Sequence, residues 1–196
     1  MYKRIILASG SPRRQQLLEQ AGIPHEVLVS GADETVTGTP REQVEELALR
    51  KANAVLPLVD NSQGETIIIA ADTLVFINGE VLGKPQNHNE AFEMLKKLQG
   101  NAHQVYTGVA LLCVSSGEVM VFADVADVFF RPLCDEEILA YIATGEPFDK
   151  AGAYGIQEKG ATLVDRINGD FYTVMGLPIS KVCTALKKFG YRNYDY

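Results

Sequence analysis

At 196 residues, 46% of them apolar, the chain is long enough for one domain or two small lobes with a sizeable core. Its formal charge of -7 argues against a nucleic acid polymer as partner, which calls for a basic face. It does not argue against a small phosphorylated ligand, for which a few local cations suffice. No apolar run approaches the roughly 18 residues of a membrane span. Met1-Tyr2-Lys3-Arg4 and the short apolar run behind it do not make a secretory leader. Cys113, Cys134 and Cys183 are odd in number and widely spaced, so they form neither a metal pair nor a disulfide framework. The expectation is a reducing cytoplasm and three buried, unreactive thiols.

Residues 3–8 read as a strand and 12–22 as a helix, with Ser11 as N-cap, Pro12 at the first helical position and Gly22 as the stop. The first turn of that helix carries Arg13 and Arg14 where acidic residues are usual. Free N–H groups and two guanidinium forks at a positive helix end suit a phosphate. The plain alternative is a solvated arginine pair. His25 to Ser30 alternates as a short strand, and residues 31–40 are a polar, turn-rich loop. A second helix is expected over 41–58, opened by a Thr39–Glu42 capping box. Val44, Leu47, Ala48, Val55 and Leu58 form its apolar stripe, and Lys51 lies on the same stripe. Lys51 either snorkels, stem packed and ammonium in water, or points its cation into a cleft.

Residues 66–76 form the most apolar strand, interrupted by Asp72. A buried carboxylate has to be neutralised, paired or metal-bound, so Asp72 is the leading candidate for chemistry, against a purely structural ion pair. Asn78-Gly79 predicts a two-residue hairpin pairing Ile77 with Glu80 and, by extension, Thr73 with Lys84. Gly83 and Pro85 would let Lys84 swing towards Asp72. Helix 88–98, a hairpin of strands 104–114 and 118–130, and helix 135–144 follow. These predict an α/β (α+β) protein with a mixed sheet rather than a simple doubly wound one. The glycine-rich stretch 148–157 either admits a ligand close to backbone or is a tight loop between packed elements. Residues 163–167 and 171–174 read as a hairpin about Asn168-Gly169, and 178–189 as a last helix with Ile179, Val182, Cys183, Leu186 and Phe189 on its apolar face. The tail 191–196 is polar and expected to fray.

Several chemistries lack their motifs. There is no P-loop, no Gly-x-Gly-x-x-Gly and no Gly-x-Ser-x-Gly elbow, and His25, His88 and His103 match no zinc spacing.

Taken together, Leu-Ala-Ser-Gly-Ser-Pro-Arg-Arg at 7–14, Ala-Asp-Thr at 71–73, Gly-Lys-Pro at 83–85, Lys-Ala-Gly-Ala-Tyr-Gly-Ile-Gln at 150–157 and Gly-Leu-Pro at 176–178 resemble the Maf family. Those proteins are nucleoside triphosphate pyrophosphatases, once named for an effect on septum formation. The resemblance spans the chain and implies one domain over 1–196. It implies two lobes around a central cleft, on an extended mixed sheet flanked by helices and similar to the inosine triphosphate pyrophosphatase fold. It implies phosphate binding by Ser9, Arg13, Arg14, Lys51 and Lys84, with Glu34 and Lys150 as further cleft residues. Asp72 matches the family's proton acceptor. Arg13, Thr73 and Gln157 match the branch that prefers dTTP and UTP over 7-methyl-GTP. Thr173-Val174-Met175 departs from the Asn- and Val-containing segment of many members.

The implied reaction releases pyrophosphate from a nucleoside triphosphate and leaves the monophosphate, a housecleaning of nucleotide pools. The expected cofactor is a divalent cation, Mg²⁺ first and Mn²⁺ or Co²⁺ as alternatives, held by Asp72 and Glu34. Asp72 is thus a candidate for base and for metal ligand. The expected partner is a nucleoside triphosphate, with neither nucleic acid nor membrane, in a homodimer. The competing readings are a nucleotide-sensing regulator that does no chemistry and a sugar phosphatase that would release orthophosphate.

Overall fold

The computed structural model describes residues 3–29, 31–60 and 64–192. Ser30 of the expected second strand, residues 1–2 and the last four residues of the expected tail lie outside them. The chain falls into two compact units: Met1–Asp72 with Thr107–Asp124 and Gly176–Tyr196, and Thr73–Tyr106 with Val125–Met175. Three long strands, β3 (Thr66–Ile77), β5 (Ala102–Cys113) and β6 (Val119–Phe130), contribute to both.

In the first unit β1 (Arg4–Leu7) lies parallel to both β2 (Glu26–Val27) and β3, with Ile5 beside Ile67 and Leu7 beside Ile69. Strands buried on both faces read as continuous apolar runs, which is why 66–71 carries no polar alternation. Helix α1 (Pro12–Gln20) returns from β1, and α2 (Pro40–Val55) starts on the expected capping box: Thr39 Oγ1 accepts from Glu42 N–H, and Thr39 N–H donates to Glu42. Ala48, Ala52 and Val55 of α2 pack with Ile6, Ile68, Ala110 and Leu112. The helix turns into a 3-10 turn at Leu56–Leu58, which leaves Leu58 57% exposed and off the stripe; the buried position is Ala52. At Gly108 the β5 backbone meets α2 so closely that a Cβ would lie 2.2 Å from the Val44 carbonyl oxygen. Helix α6 (Ile179–Lys188) buries Val182, Ala185 and Leu186.

In the second unit β4 (Glu80–Leu82) folds back on β3 through Asn78-Gly79, and Ile77 faces Glu80 as expected. The ladder ends at Leu82, however. Gly83 turns its carbonyl to Gly152 N–H at 2.9 Å, so Lys84 has left the strand before it can oppose Thr73. Helices α3 (His88–Leu98) and α4 (Asp135–Ile142) cover the face carrying Val75, Ile77, Val105, Val128 and Phe130. β7 (Val164–Asn168) pairs antiparallel with β6. The expected second strand of that hairpin is instead a short helix, α5 (Phe171–Met175). The physical reason is local. Asp170 accepts from Tyr172 N–H with its carboxylate and from Thr173 N–H with its carbonyl, and Gly169 lies so close to β6 that a Cβ would meet Ala126 at 2.8 Å.

The described sheet has seven strands in the order β2-β1-β3-β5-β6-β7, with β4 beside β3, a mixed sheet flanked by helices as expected. Among the described residues no helix is long and apolar enough to cross a membrane. The cysteines differ from expectation: Cys113 is buried, Cys183 half-buried, and Cys134 exposed because it opens α4 at the surface.

Candidate active site

The turn after β1 is built differently from its sequence pattern. Ser11 occupies the N-cap position of α1, yet its side chain makes no capping bond. Buried Ser9 braces the turn ahead of the helix: its Oγ accepts from Ser11 N–H at 3.4 Å and from Arg14 Nη1 at 2.9 Å. Arg14 Nε donates to the Gly176 carbonyl at 2.8 Å. One guanidinium therefore ties the 7–14 segment to Gly-Leu-Pro at 176–178. Burial lowers the Arg14 pKa, the charge of Asp72 opposes that, and neighbouring Arg13 adds to the lowering. Arg13, Arg14 and Asp72 thus share one electrostatic environment.

Lys51 does not snorkel. Its ammonium donates to Asp72 Oδ1 at 2.6 Å and lies 2.9 Å from Glu34 Oε1. Asp72 and Lys51 side chains are 15% and 20% exposed, and Glu34 is 67% exposed. The stripe of α2 sets Lys51 against β3, and the carboxylate interrupting β3 is its partner. Sequence reasoning missed Arg50. It donates to the Thr35 carbonyl at 2.8 Å and the Asp33 carbonyl at 3.3 Å, on either side of Glu34. Its Nε also donates to Glu46 Oε1 at 2.8 Å, an i,i+4 pair that the sequence shows, but the two loop carbonyl groups are backbone atoms of an irregular segment, for which the sequence carries no signal.

The first unit thus brings together Ser9, Arg13, Arg14, Glu34, Lys51 and Asp72. The other expected residues belong to the second unit. Thr73 follows Asp72 on β3, Lys84 is exposed beyond β4, and Gln157 is half-buried where a 3-10 helix (Glu158–Leu163) begins. Lys150 donates to Asp149 Oδ1 and the Glu146 carbonyl, both at 2.6 Å. Its stem crosses Gly155, where a Cβ would meet Lys150 Cε at 2.6 Å; at Gly152, φ 68°, a Cβ would meet Val75 Cγ2 at 2.8 Å. These glycines make the stretch a tight loop between packed elements.

Among the described residues no group of three or more His, Cys, Asp and Glu side chains is placed to hold a metal. Asp72 and Glu34 nevertheless bracket one cation, the Lys51 ammonium. Two carboxylates supplemented by ligand phosphates are a common donor set for Mg²⁺, so the pair fits such an ion without a third protein carboxylate.

The architecture is shared with a HAM1 protein from Coxiella burnetii, whose solved structure covers 95% of this chain and 99% of its own at a TM-score of 0.54 and 13% identity. That likeness speaks for the fold class. The chain belongs to the Maf family: the family model, described as Maf-like protein, matches residues 4–189. A relative from Caldicellulosiruptor saccharolyticus is 46% identical over 191 residues, 96% of each chain. One from Bacillus cereus is 49% identical over 189 residues, 95% of this chain and 90% of its own. Both relatives are named dTTP/UTP pyrophosphatase.

Proposed function

We propose that the chain is a nucleoside triphosphate pyrophosphatase that hydrolyses dTTP and UTP to the monophosphate and pyrophosphate. The observation that carries the reading is the Lys51–Asp72 pair, a half-buried carboxylate held by an ammonium beside Ser9 and Arg14 in a Maf chain. A triphosphate carries about four negative charges, and Arg13, Arg14, Lys51 and Lys84 are the cations assigned to it, with Lys150 in a lesser part. Ser9 sets the Arg14 fork. Water attacks the α-phosphorus. Its oxygen forms the new P–O bond as the bond to the bridging α–β oxygen breaks, and pyrophosphate leaves with that oxygen. Asp72 accepts the proton of the attacking water once phosphate oxygens compete for Lys51. Asp72 and Glu34 would hold a divalent cation, Mg²⁺ or in its place Mn²⁺ or Co²⁺, which supplies charge neutralisation on the phosphates. Should Asp72 act as ligand instead of base, its carboxylate is required all the same.

Arg13, Thr73 and Gln157 are the residues assigned to choice of base. The proposal extends to residues 1–196 as a single catalytic domain, working as a homodimer in the cytoplasm and independent of nucleic acid polymers and membranes. The test is product analysis on a panel of nucleoside triphosphates with Mg²⁺. Pyrophosphate and monophosphate from dTTP and UTP, with little from purine triphosphates, are expected. Orthophosphate as the first product, or no product from folded protein, overturns the reaction; pyrophosphate from another base overturns the specificity alone.

A further inference from the structure

We infer that Arg50 is a positioning residue, which sets the Glu34 carboxylate against the Lys51–Asp72 pair by holding the loop backbone on both sides of it. This inference rests on the proposed reaction only for its catalytic consequence. Residues 31–37 form no helix or strand, so no ladder satisfies their carbonyl groups. Arg50 Nη1 supplies donors to two of them, Thr35 at 2.8 Å and Asp33 at 3.3 Å. Its Nε is anchored on Glu46 Oε1, one turn earlier on α2, at 2.8 Å, which fixes the plane of the guanidinium. Asp33 stiffens the loop from within by accepting Thr35 N–H at 2.9 Å. Between the two clamped carbonyl groups sits Glu34, with its Oε1 2.9 Å from Lys51 Nζ.

Consecutive residues of one helix therefore divide the task. Arg50 takes the backbone of the loop and Lys51 takes its carboxylate. Lys51 alone could not hold a carboxylate that is 67% exposed, because an exposed ion pair is worth no more than about 1 kcal/mol and competes with water. The planar fork is what a lysine at position 50 could not reproduce. Its single ammonium has no rigid geometry for two carbonyl groups and a carboxylate at once.

The experiment is a double-mutant cycle of Arg50→Ala and Glu34→Gln on dTTP hydrolysis, with amide hydrogen exchange of residues 31–37 read on the same proteins. Expected are about tenfold losses of kcat in each single variant with KM little changed, as for misplacement of a reacting constellation. The double variant should lose no more than Glu34→Gln alone, because Arg50 acts only through Glu34. Exchange at 31–37 should rise in Arg50→Ala while that of β1 and β3 is unchanged, and Arg50→Lys should recover part of both effects. Multiplying losses in the double variant, a Glu34→Gln variant of full activity, or unaltered exchange in Arg50→Ala overturns the inference. If the wild-type protein turns over neither dTTP nor UTP, the functional reading fails, and the exchange arm alone decides whether Arg50 holds the loop.

Discussion

Lys51 Nζ and Asp72 Oδ1 stand 2.6 Å apart, a cation from the buried stripe of a helix meeting the carboxylate that interrupts an otherwise apolar strand. Each explains the other's departure from the hydrophobic pattern. Asp72→Asn removes the proton acceptor and a carboxylate ligand while Lys51 keeps Glu34. Turnover should fall by about 10³ or more, with nucleotide affinity largely kept. Pyrophosphate release and equilibrium nucleotide binding check this, and full activity would remove the mechanism.

Lys51→Met leaves the Asp72 carboxylate half-buried without its cation. The two side chains keep 20% and 15% of their exposure, so the penalty is softened by water and should be about 1–2 kcal/mol. Denaturant unfolding of Lys51→Met and of Lys51→Met with Asp72→Asn checks it: the second substitution should recover most of the loss.

Ser9→Ala deletes the acceptor for Arg14 Nη1 and for Ser11 N–H. A loss of about 1 kcal/mol in stability is expected. Loss of this tether on the Arg14 fork, which the Gly176 carbonyl still holds, should also raise KM for dTTP more than it lowers kcat, which steady-state kinetics would separate.

His103 makes the acid side of stability predictable. Its Nε2 is 2.7 Å from the Tyr154 hydroxyl, its Nδ1 is buried with no partner among the described residues, and burial pushes the ring down to about 4 from 6.5. The folded protein holds this ring neutral where the unfolded chain already protonates it. As pH falls from 6.5 the unfolded state binds the proton first, so stability declines until about pH 4 and this contribution then levels off. The full span corresponds to about 3 kcal/mol. Urea unfolding from pH 7 to pH 4 should show this decline, and His103→Gln should flatten it.

Gly152→Ala and Gly79→Ala separate packing from backbone strain. Both glycines have positive φ, 68° and 84°, but only at Gly152 does a Cβ collide, with Val75 at 2.8 Å. Gly79→Ala should cost about 1 kcal/mol and Gly152→Ala about 2–3 kcal/mol. Equal losses by calorimetry would refute the packing role.

Where local chemistry and tertiary packing agree, the chain is readable. The Thr39–Glu42 box, the Ile77–Glu80 register and the helix 88–98 each follow from residues a few positions apart. The convergence of Lys51 and Asp72 is readable because both break a periodic pattern. The segment 171–174 is not, since its apolar residues suit a strand and a helix alike, and only Asp170 and the closeness of Gly169 to β6 decide. Likewise Ser11 holds the expected N-cap position without a side-chain capping bond, while the Ser9 hydroxyl receives Arg14, a contact that no local spacing announces. Arg50 shows only its Glu46 partner at helical spacing, because a side chain that binds carbonyl groups leaves no complementary residue type to find for that part of its work.

Gly108 carries a consequence for a residue two helical turns away. With the β5 backbone pressed against the Val44 carbonyl, α2 has a hard stop beneath its second turn. Lys51 follows two turns further along that rigid rod, so its height above Asp72 is gauged from the strand's bare backbone rather than from side chains that could relax. A single methyl group at position 108 would act as a shim. It would jack the helix off its seat and draw the ammonium away from the carboxylate, although nothing at position 108 touches either group.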